Sequence, residues 1–233
     1  MKNIQRLLGE AKSKMNGYVT LLMLRYMNLC VKADAASLLS VSVNMKGQEQ
    51  NIEKAADVGI LQENVLAVIP KDSNLIQEIG KGVMKAHPEF KMDIVQAENS
   101  QDEEDKYLTF TMPEVDKARH DLLMEGVDTL KDQCTTKLDA IFSFYTTKIA
   151  EELTGADPKA IEKVSDMLKE VSDFYNDTCK TQTDNKKKEI EDAYQKYLAE
   201  KEAKKQELKE EAAAHSQEVS QQLKMDNLGE NEY

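Results

Sequence analysis

Residues that could carry out chemistry are few and scattered in this chain. His87, His120 and His215 show no spacing typical of metal ligands. The Gly-Lys-Gly run at 80–82 falls inside a helical pattern and lacks the rest of a phosphate-binding loop. No Ser–His–Asp or Cys–His arrangement can be argued from the order of the residues. We therefore expect no catalytic residue, no metal and no cofactor, and we predict that the protein is not an enzyme.

The remaining reactive side chains, an acidic run and three cysteines, also favour structural roles. The acidic run at 102–105 lacks the glycine and the ordered ligands of a calcium loop, so we predict a solvated loop. Cys30, Cys134 and Cys179 are isolated, and none belongs to a CxxC pair. An odd number of isolated thiols favours structural cysteines in a reducing compartment over a disulfide framework.

The charge balance limits the kinds of partner that the protein can bind. The chain has 233 residues and a net charge of −12, and its only arginines are Arg6, Arg25 and Arg119. Nucleic-acid-binding proteins usually carry a basic surplus, and arginine is the better residue for bidentate phosphate recognition. We expect no DNA binding, and any RNA contact must come from a local patch.

The element that would position such a patch is a long helix, predicted over residues 115–153. Its apolar residues recur mostly at steps of three and four, the period of an amphipathic helix. A helix of this length would measure roughly 58 Å, more than a small domain, so partner helices must cover its apolar stripe. The stripe contains Val115, Ala118, Leu122, Val127, Leu130, Cys134, Leu138, Ile141, Tyr145 and Ile149.

Two further helices are predicted to pack on this stripe. The first covers residues 2–30; its basic start also suits a signal peptide or a mitochondrial import segment, but helical spacing persists throughout and favours a structural helix. Its apolar part is too short and too interrupted to span a bilayer, so we predict no transmembrane segment. Gly155 and Pro158 then mark a turn into a third helix. That helix continues as a solvated Lys/Glu/Ala-rich segment at 199–211, and residues 226–233 are predicted to be an acidic disordered tail.

Between the first two helices the periodicity changes to that of a small α/β unit. Strands are predicted at 40–44, 64–69, 92–96 and 107–111, with a helix at 73–86; residues 52–60 are ambiguous. The predicted fold class is α+β: a three-helix bundle (residues 1–31 and 114–225) interrupted by an α/β insert domain (residues 32–113). Two connections join insert and bundle, and paired linkers of this kind behave as a hinge. The hinge residues are Ala33, Asp34, Met112 and Pro113.

Five local motifs accompany this order of elements: Ala36-Ser37-Leu38-Leu39, Pro70-Lys71-Asp72, Tyr107-Leu108-Thr109-Phe110-Thr111-Met112-Pro113-Glu114, Lys117-Ala118-Arg119-His120-Asp121-Leu122 and Leu198-Ala199-Glu200-Lys201-Glu202-Ala203. In their order and spacing they resemble the ribosome recycling factor family. The resemblance implies an L-shaped protein whose bundle binds the large-subunit ribosomal RNA in the intersubunit space. It implies an insert that moves against an elongation-factor-G-like GTPase, so that the two split post-termination ribosomes.

One departure from the family concerns the RNA-binding patch. The family's arginine-rich patch on the long helix aligns with residues 137–145, where this chain has no arginine and keeps only Lys137 and, nearby, Lys148. Two hypotheses follow. The first is a divergent recycling factor of the mitochondrial matrix; the second is a repurposed structural or assembly subunit of a large mitochondrial complex that has lost ribosomal RNA binding. The predicted RNA- or partner-binding face comprises Lys131, Lys137, Leu138, Ile141, Phe142, Phe144, Tyr145 and Lys148.

Overall fold

A computed structural model describes residues 2–96 and 106–229 of the chain, with the side chains of all of these except 214 and 216–229. Its helices are α1 (Lys2–Met27), α2 (Ile52–Ala55), α3 (Ile76–Ala86), α4 (Lys117–Glu152) and α5 (Pro158–Gly229). Its strands are β1 (Ser42–Met45), β2 (Gln48–Asn51), β3 (Ala56–Gln62), β4 (Val65–Pro70), β5 (Lys91–Gln96) and β6 (Lys106–Thr111). Short 3-10 helices lie at Ala35–Leu38 and Ser73–Leu75. The acidic run at 102–105, predicted to be a solvated loop, lies outside the described residues.

The three long helices α1, α4 and α5 pack against one another as a bundle. The Tyr26 hydroxyl of α1 donates to the Val127 carbonyl of α4 at 3.2 Å and meets the Thr183 hydroxyl of α5 at 3.0 Å. The Tyr145 hydroxyl, at the other end of the bundle, donates to Glu10 of α1 at 3.3 Å. Because low residue numbers of α1 face high ones of α4, these two helices are antiparallel. The bundle core is centred on Met15, Leu22, Val127, Leu138, Tyr145, Leu168 and Ile190.

The ends of α4 follow local signals. The Asp116 carboxylate accepts a hydrogen bond from the Arg119 amide at 2.9 Å and so caps the first turn. Gly155, with a φ of 80°, takes the left-handed conformation that ends a helix without strain. Pro158 starts α5, because its fixed φ suits a first helical position. The predicted turn between the two helices is thereby confirmed.

Helix α5 is longer than its packing requires. It runs without a break over 72 residues, roughly 108 Å at 1.5 Å per residue. Its last residue in the bundle core is Ile190, and the side chains of residues 199–213 are exposed. Residues 226–229 are helical, so the predicted disordered tail is wrong at these positions, and residues 230–233 lie outside the described part.

The insert is built on antiparallel strands. Strands β1 and β2 form a hairpin around Lys46 and Gly47, both at positive φ, and the other strands form a sheet in the order β3-β4-β6-β5. Helix α3 packs beside β1 and β6. The predicted architecture, a three-helix bundle interrupted by a small α/β insert, is confirmed. The insert has its own core of Leu38, Val43, Ile52, Leu66, Val68, Ile79, Val83, Leu108, Phe110 and Met112.

Substitution of two neighbouring aromatic residues tests which face of α4 is buried in the bundle core. Tyr145 is 1% exposed, whereas Phe144 is 52% exposed. We expect Tyr145→Ala to lower the free energy of unfolding by about 3–5 kcal/mol, because it leaves a cavity in the core. Phe144→Ala should lower it by about 1 kcal/mol or less. Urea denaturation of both variants measures the difference, and equal losses would contradict this orientation of the helix.

Candidate binding surfaces on the bundle and at the hinge

The structure divides the predicted binding face of α4 into buried and exposed residues. Leu138, Ile141 and Tyr145 lie in the bundle core with exposures of 0%, 8% and 1%. They continue the stripe of Cys134 and Ile149, which recurs at steps of three and four and faces the partner helices. Their assignment to a binding face is therefore wrong, whereas the helical spacing that put them in the covered apolar stripe is confirmed.

Two other predicted residues lie on the flank of α4. Phe142 is half-buried and packs against the bundle core. Lys131 is also half-buried and faces α5. Burial raises the pKa of the Cys179 thiol on α5, and the positive charge of Lys131 acts against this rise. Neither side chain is freely presented to a partner on the outer surface.

The exposed remainder forms a continuous stripe. Lys137, Phe144 and Lys148 are exposed and, at 3.6 residues per turn, point within about 40° of one another. The ammonium group of Lys14, on α1, lies 5.7 Å from the centre of the Phe144 ring. We call Lys14, Lys137, Phe144 and Lys148 the α4 stripe. It offers point charges and one exposed ring, which suit phosphates and a stacked base, but it has no guanidinium for bidentate phosphate contacts.

Beside the stripe, a groove of about 590 Å³ runs between α1 and α4. Leu22 and Cys134 form its floor and are almost fully buried, while Leu21 is 40% exposed along its edge. The Arg25 guanidinium donates to the Gln133 side chain at 2.9 Å across the rim. The groove is mostly apolar, unlike the charged surface around it.

The two connections between bundle and insert converge on the turn between β3 and β4. The Ala33 amide donates to the Glu63 carbonyl, and the Met112 amide donates to the Asn64 carbonyl, both at 2.8 Å. Ala33 and Met112 are buried, with exposures of 6% and 1%. The predicted hinge residues therefore lie side by side, although their movement stays a prediction.

The other two predicted hinge residues remain at the surface. Asp34 is exposed and caps the following 3-10 helix by accepting a hydrogen bond from the Ala36 amide at 2.9 Å. Pro113 is also exposed, and its carbonyl accepts a hydrogen bond described below. Each connection thus has one buried residue, Ala33 or Met112, next to one exposed residue, Asp34 or Pro113.

Arg119 joins the two connections from the bundle side, and sequence reasoning missed it. Its guanidinium donates to the Cys30 carbonyl at 2.7 Å and to the Pro113 carbonyl at 2.9 Å. Burial lowers the pKa of the guanidinium, but it remains charged, as arginine does throughout the physiological range. One feature of the sequence could have indicated this role. Arg119 lies three residues after Asp116, in the first turn of α4, and so directly follows the second connection.

Two side chains of α5 add contacts near the same end of the bundle. Lys196 forms an ion pair with Glu63 of the insert, and this hydrogen bond raises the pKa of the Lys196 ammonium. Glu191 accepts a hydrogen bond from His120 of α4 at 3.0 Å, and its pKa is lowered first by Gln195 and then by His120. His120 thus ties α4 to α5.

The structure brings one cysteine and one histidine together that the sequence could not pair. The Cys30 sulfur lies 3.9 Å from Nδ1 of His87, whose Nε2 is 3.2 Å from the Ser37 carbonyl. Burial raises the pKa of the Cys30 thiol to about 11, so it stays protonated near neutral pH. A nucleophilic cysteine needs the thiolate, so this pair has the character of a packed core contact.

Metal ligands and membrane-spanning segments can be assessed over the described ranges. Within residues 2–96 and 106–229, no group of three or more His, Cys, Asp or Glu side chains is arranged to hold a metal ion. None of the helices in these ranges has the length and apolar content needed to cross a membrane.

Comparisons with known proteins find relatives only among solved structures. No protein-family model and no curated protein sequence matches the chain. The solution structure of a ribosome recycling factor superposes with a TM-score of 0.67 and 17% identity, covering 82% of this chain and 99% of that one. The T. thermophilus ribosome recycling factor, described with E. coli elongation factor G on the E. coli post-termination complex, gives a TM-score of 0.54 and 18% identity, covering 80% and 98%. At these identities the likeness shows the fold: the chain has the L-shaped fold of ribosome recycling factors, and the resemblance in its sequence is confirmed at that level.

The Arg119 contacts yield a prediction for the hinge. Arg119→Met removes both hydrogen bonds to the connections, so we expect faster amide exchange at residues 30–34 and 112–116. Loss of charged hydrogen bonds of this kind should lower the free energy of unfolding by about 1–3 kcal/mol. Hydrogen–deuterium exchange with mass spectrometry measures the first effect. The control is Lys117→Met, which removes only the exposed ion pair with Asp121. Unchanged exchange at both connections would rule out a clamping role for Arg119.

Proposed function

We propose that this chain acts as a ribosome-recycling-factor-like protein in the mitochondrial matrix. In this role it binds the intersubunit space of the organellar ribosome and promotes subunit splitting after termination together with a translational GTPase of the elongation factor G class. The observation that carries the proposal is the match over 99% of a ribosome recycling factor, which includes both the bundle and the insert. The factor itself performs no covalent chemistry, and the GTPase hydrolyses the nucleotide.

The construction of the molecule supports such a mechanical role. The 36-residue α4 gives the bundle a stiff arm of roughly 54 Å. The insert is attached at one end of that arm through two connections that meet at a single turn. A force between the insert and the bundle would therefore pass through one place, the junction at this turn.

The electrostatics predict weak and salt-sensitive RNA binding. Each lysine that contacts a phosphate contributes about −0.7 to −0.9 to the slope of log affinity against log salt. The α4 stripe supplies the lysines Lys14, Lys137 and Lys148. The ammonium of Lys148 also forms an ion pair with the Glu151 carboxylate at 2.9 Å. Ribosome binding through this stripe should therefore require low salt and depend on few residues.

Charge reversal on the stripe tests the ribosome-binding surface. We expect the wild-type protein to co-sediment with mitochondrial ribosomes at low salt. The double variant Lys137→Glu/Lys148→Glu should bind about tenfold or more weakly, with a salt slope shallower by about 2, because two phosphate contacts are lost. The matched control is Lys204→Glu/Lys209→Glu, which makes the same charge change on the exposed extension of α5 and should bind like the wild type.

The function itself is tested by subunit splitting. Purified protein, the organellar GTPase and GTP should convert post-termination ribosomes into subunits, as followed by sucrose-gradient sedimentation. If the protein fails to co-sediment at low salt, or binds but does not split ribosomes with the GTPase, the proposed role in recycling is wrong.

A second candidate function is favoured by the apolar groove between α1 and α4. In this alternative the chain is a structural or assembly subunit of a large mitochondrial complex and no longer binds ribosomal RNA. An apolar surface on an otherwise charged helix pair is typical of a protein interface. Affinity purification of the tagged protein distinguishes the two roles. Stoichiometric recovery in a complex without large-subunit ribosomal RNA would support the alternative, whereas recovery with that RNA would exclude it.

A further inference from the structure

The groove between α1 and α4 is bounded along its length by two helices. Its two walls are antiparallel helices that lie side by side, and the third helix, α5, packs against both from the core side. A helix laid into such a seam packs its side-chain ridges between those of its neighbours, as in a four-helix bundle. The shape of the groove is therefore compatible with one further helix.

The floor and walls of the groove are suited to apolar side chains. Leu22 and Cys134 form the floor, Tyr18 and Leu130 are half-buried at its sides, and Leu21 is exposed at its edge. A volume of about 590 Å³ accommodates several large side chains. An apolar floor of this kind is a poor site for a phosphate backbone, which needs closely spaced cations.

The rim has a positive balance on a strongly negative protein. Arg25 and Lys137 lie on opposite walls, and Lys137 is one helical turn beyond Gln133, to which Arg25 donates. Neither cation forms an ion pair within the described residues, and Asp132 is the one carboxylate among the residues that line the groove. The carboxylates of an acidic partner would be attracted by both cations, whereas the cations of a basic partner would be repelled by them.

Backbone geometry excludes a partner that adds as a β-strand. The groove walls are helices whose amide and carbonyl groups are paired within each helix, so they present no strand edge to which a peptide could add. A helix in the groove, recognised through apolar anchors spaced three and four residues apart, is the mode that matches two helical walls.

We propose that the α1–α4 groove is a docking site for an amphipathic helix of a protein partner, with acidic residues one turn apart beside its apolar stripe. The apolar stripe lies over Tyr18, Leu21 and Leu130, and the carboxylates face Arg25 and Lys137. This goes beyond the proposed role on the ribosome, because the groove binds an isolated helix whether or not the protein binds RNA. Its occupation adds a fourth helix to the bundle.

The test uses two synthetic helical peptides of roughly 15 residues, about four turns, that share one leucine stripe. One carries glutamates beside the stripe and the other carries lysines at the same positions. Binding to the full-length protein is measured by fluorescence anisotropy, with a single-stranded RNA of mixed sequence as the competing class of ligand. The expected result is that the acidic peptide binds and that the basic peptide and the RNA bind at least about tenfold more weakly at this site.

Matched variants locate the binding. Leu21→Glu, at the edge of the groove, should weaken the acidic peptide about tenfold, whereas Leu24→Glu, also exposed on α1 but outside the groove, should change it less than about threefold. Arg25→Glu should weaken the acidic peptide and strengthen the basic one. Arg6→Glu, the same change elsewhere on α1, should do neither.

The possible contrary results are distinct. The proposal is overturned if neither peptide binds, if Leu24→Glu acts like Leu21→Glu, or if the RNA binds more tightly than the acidic peptide and loses affinity in Leu21→Glu. Because the peptide assay contains no ribosome, its failure leaves the ribosome-binding result intact, and a failure of ribosome binding leaves the peptide result intact.

Discussion

Burial of one apolar stripe along α4 holds the three long helices together. The stripe of Cys134, Leu138, Ile141, Tyr145 and Ile149 is covered by α1 on one side and α5 on the other. Because α4 is long, a single short helix could not cover it, and the chain must supply two long partners. The partner that precedes α4 runs antiparallel to it. The insert therefore leaves and rejoins the bundle at the same end, and the two connections become neighbours.

That placement has consequences for the polar contacts at the junction. The turn between β3 and β4 offers the Glu63 and Asn64 carbonyls to the two connections, while Arg119 holds two carbonyls of the connections from the other side. A guanidinium has several donors in a fixed plane and can hold two backbone segments at once. A lysine at this position could not provide the same paired geometry. The junction therefore depends on a small set of backbone and guanidinium hydrogen bonds, while each domain depends on its own apolar core.

The sequence was most informative where a local signal determines the structure. Helical spacing predicted α1, α4 and α5, and Gly155 and Pro158 marked the turn, because backbone conformation there depends on single residues. It failed at β2 (Gln48–Asn51), which is polar and is held in place by pairing with β1. The comparison with the family patch also put Leu138 and Ile141 on one face with Phe144, because it gives positions along a helix but not the direction in which each side chain points. The helical spacing, which places Leu138 and Ile141 in the covered stripe and leaves Phe144 out, was the better guide. The Arg119 contacts and the α1–α4 groove join residues far apart in the chain, so no local pattern could reveal them.

The length of α5 affects how the molecule behaves in solution. A compact protein of this size would have a radius of gyration of about 17 Å, yet a helix of roughly 108 Å runs through one side of this molecule. Such a shape diffuses more slowly than a sphere of the same mass and leaves a size-exclusion column early. Elution volume alone would therefore report a monomer as a larger species. Light scattering or sedimentation equilibrium, which do not depend on shape, are the measurements from which the number of subunits can be read.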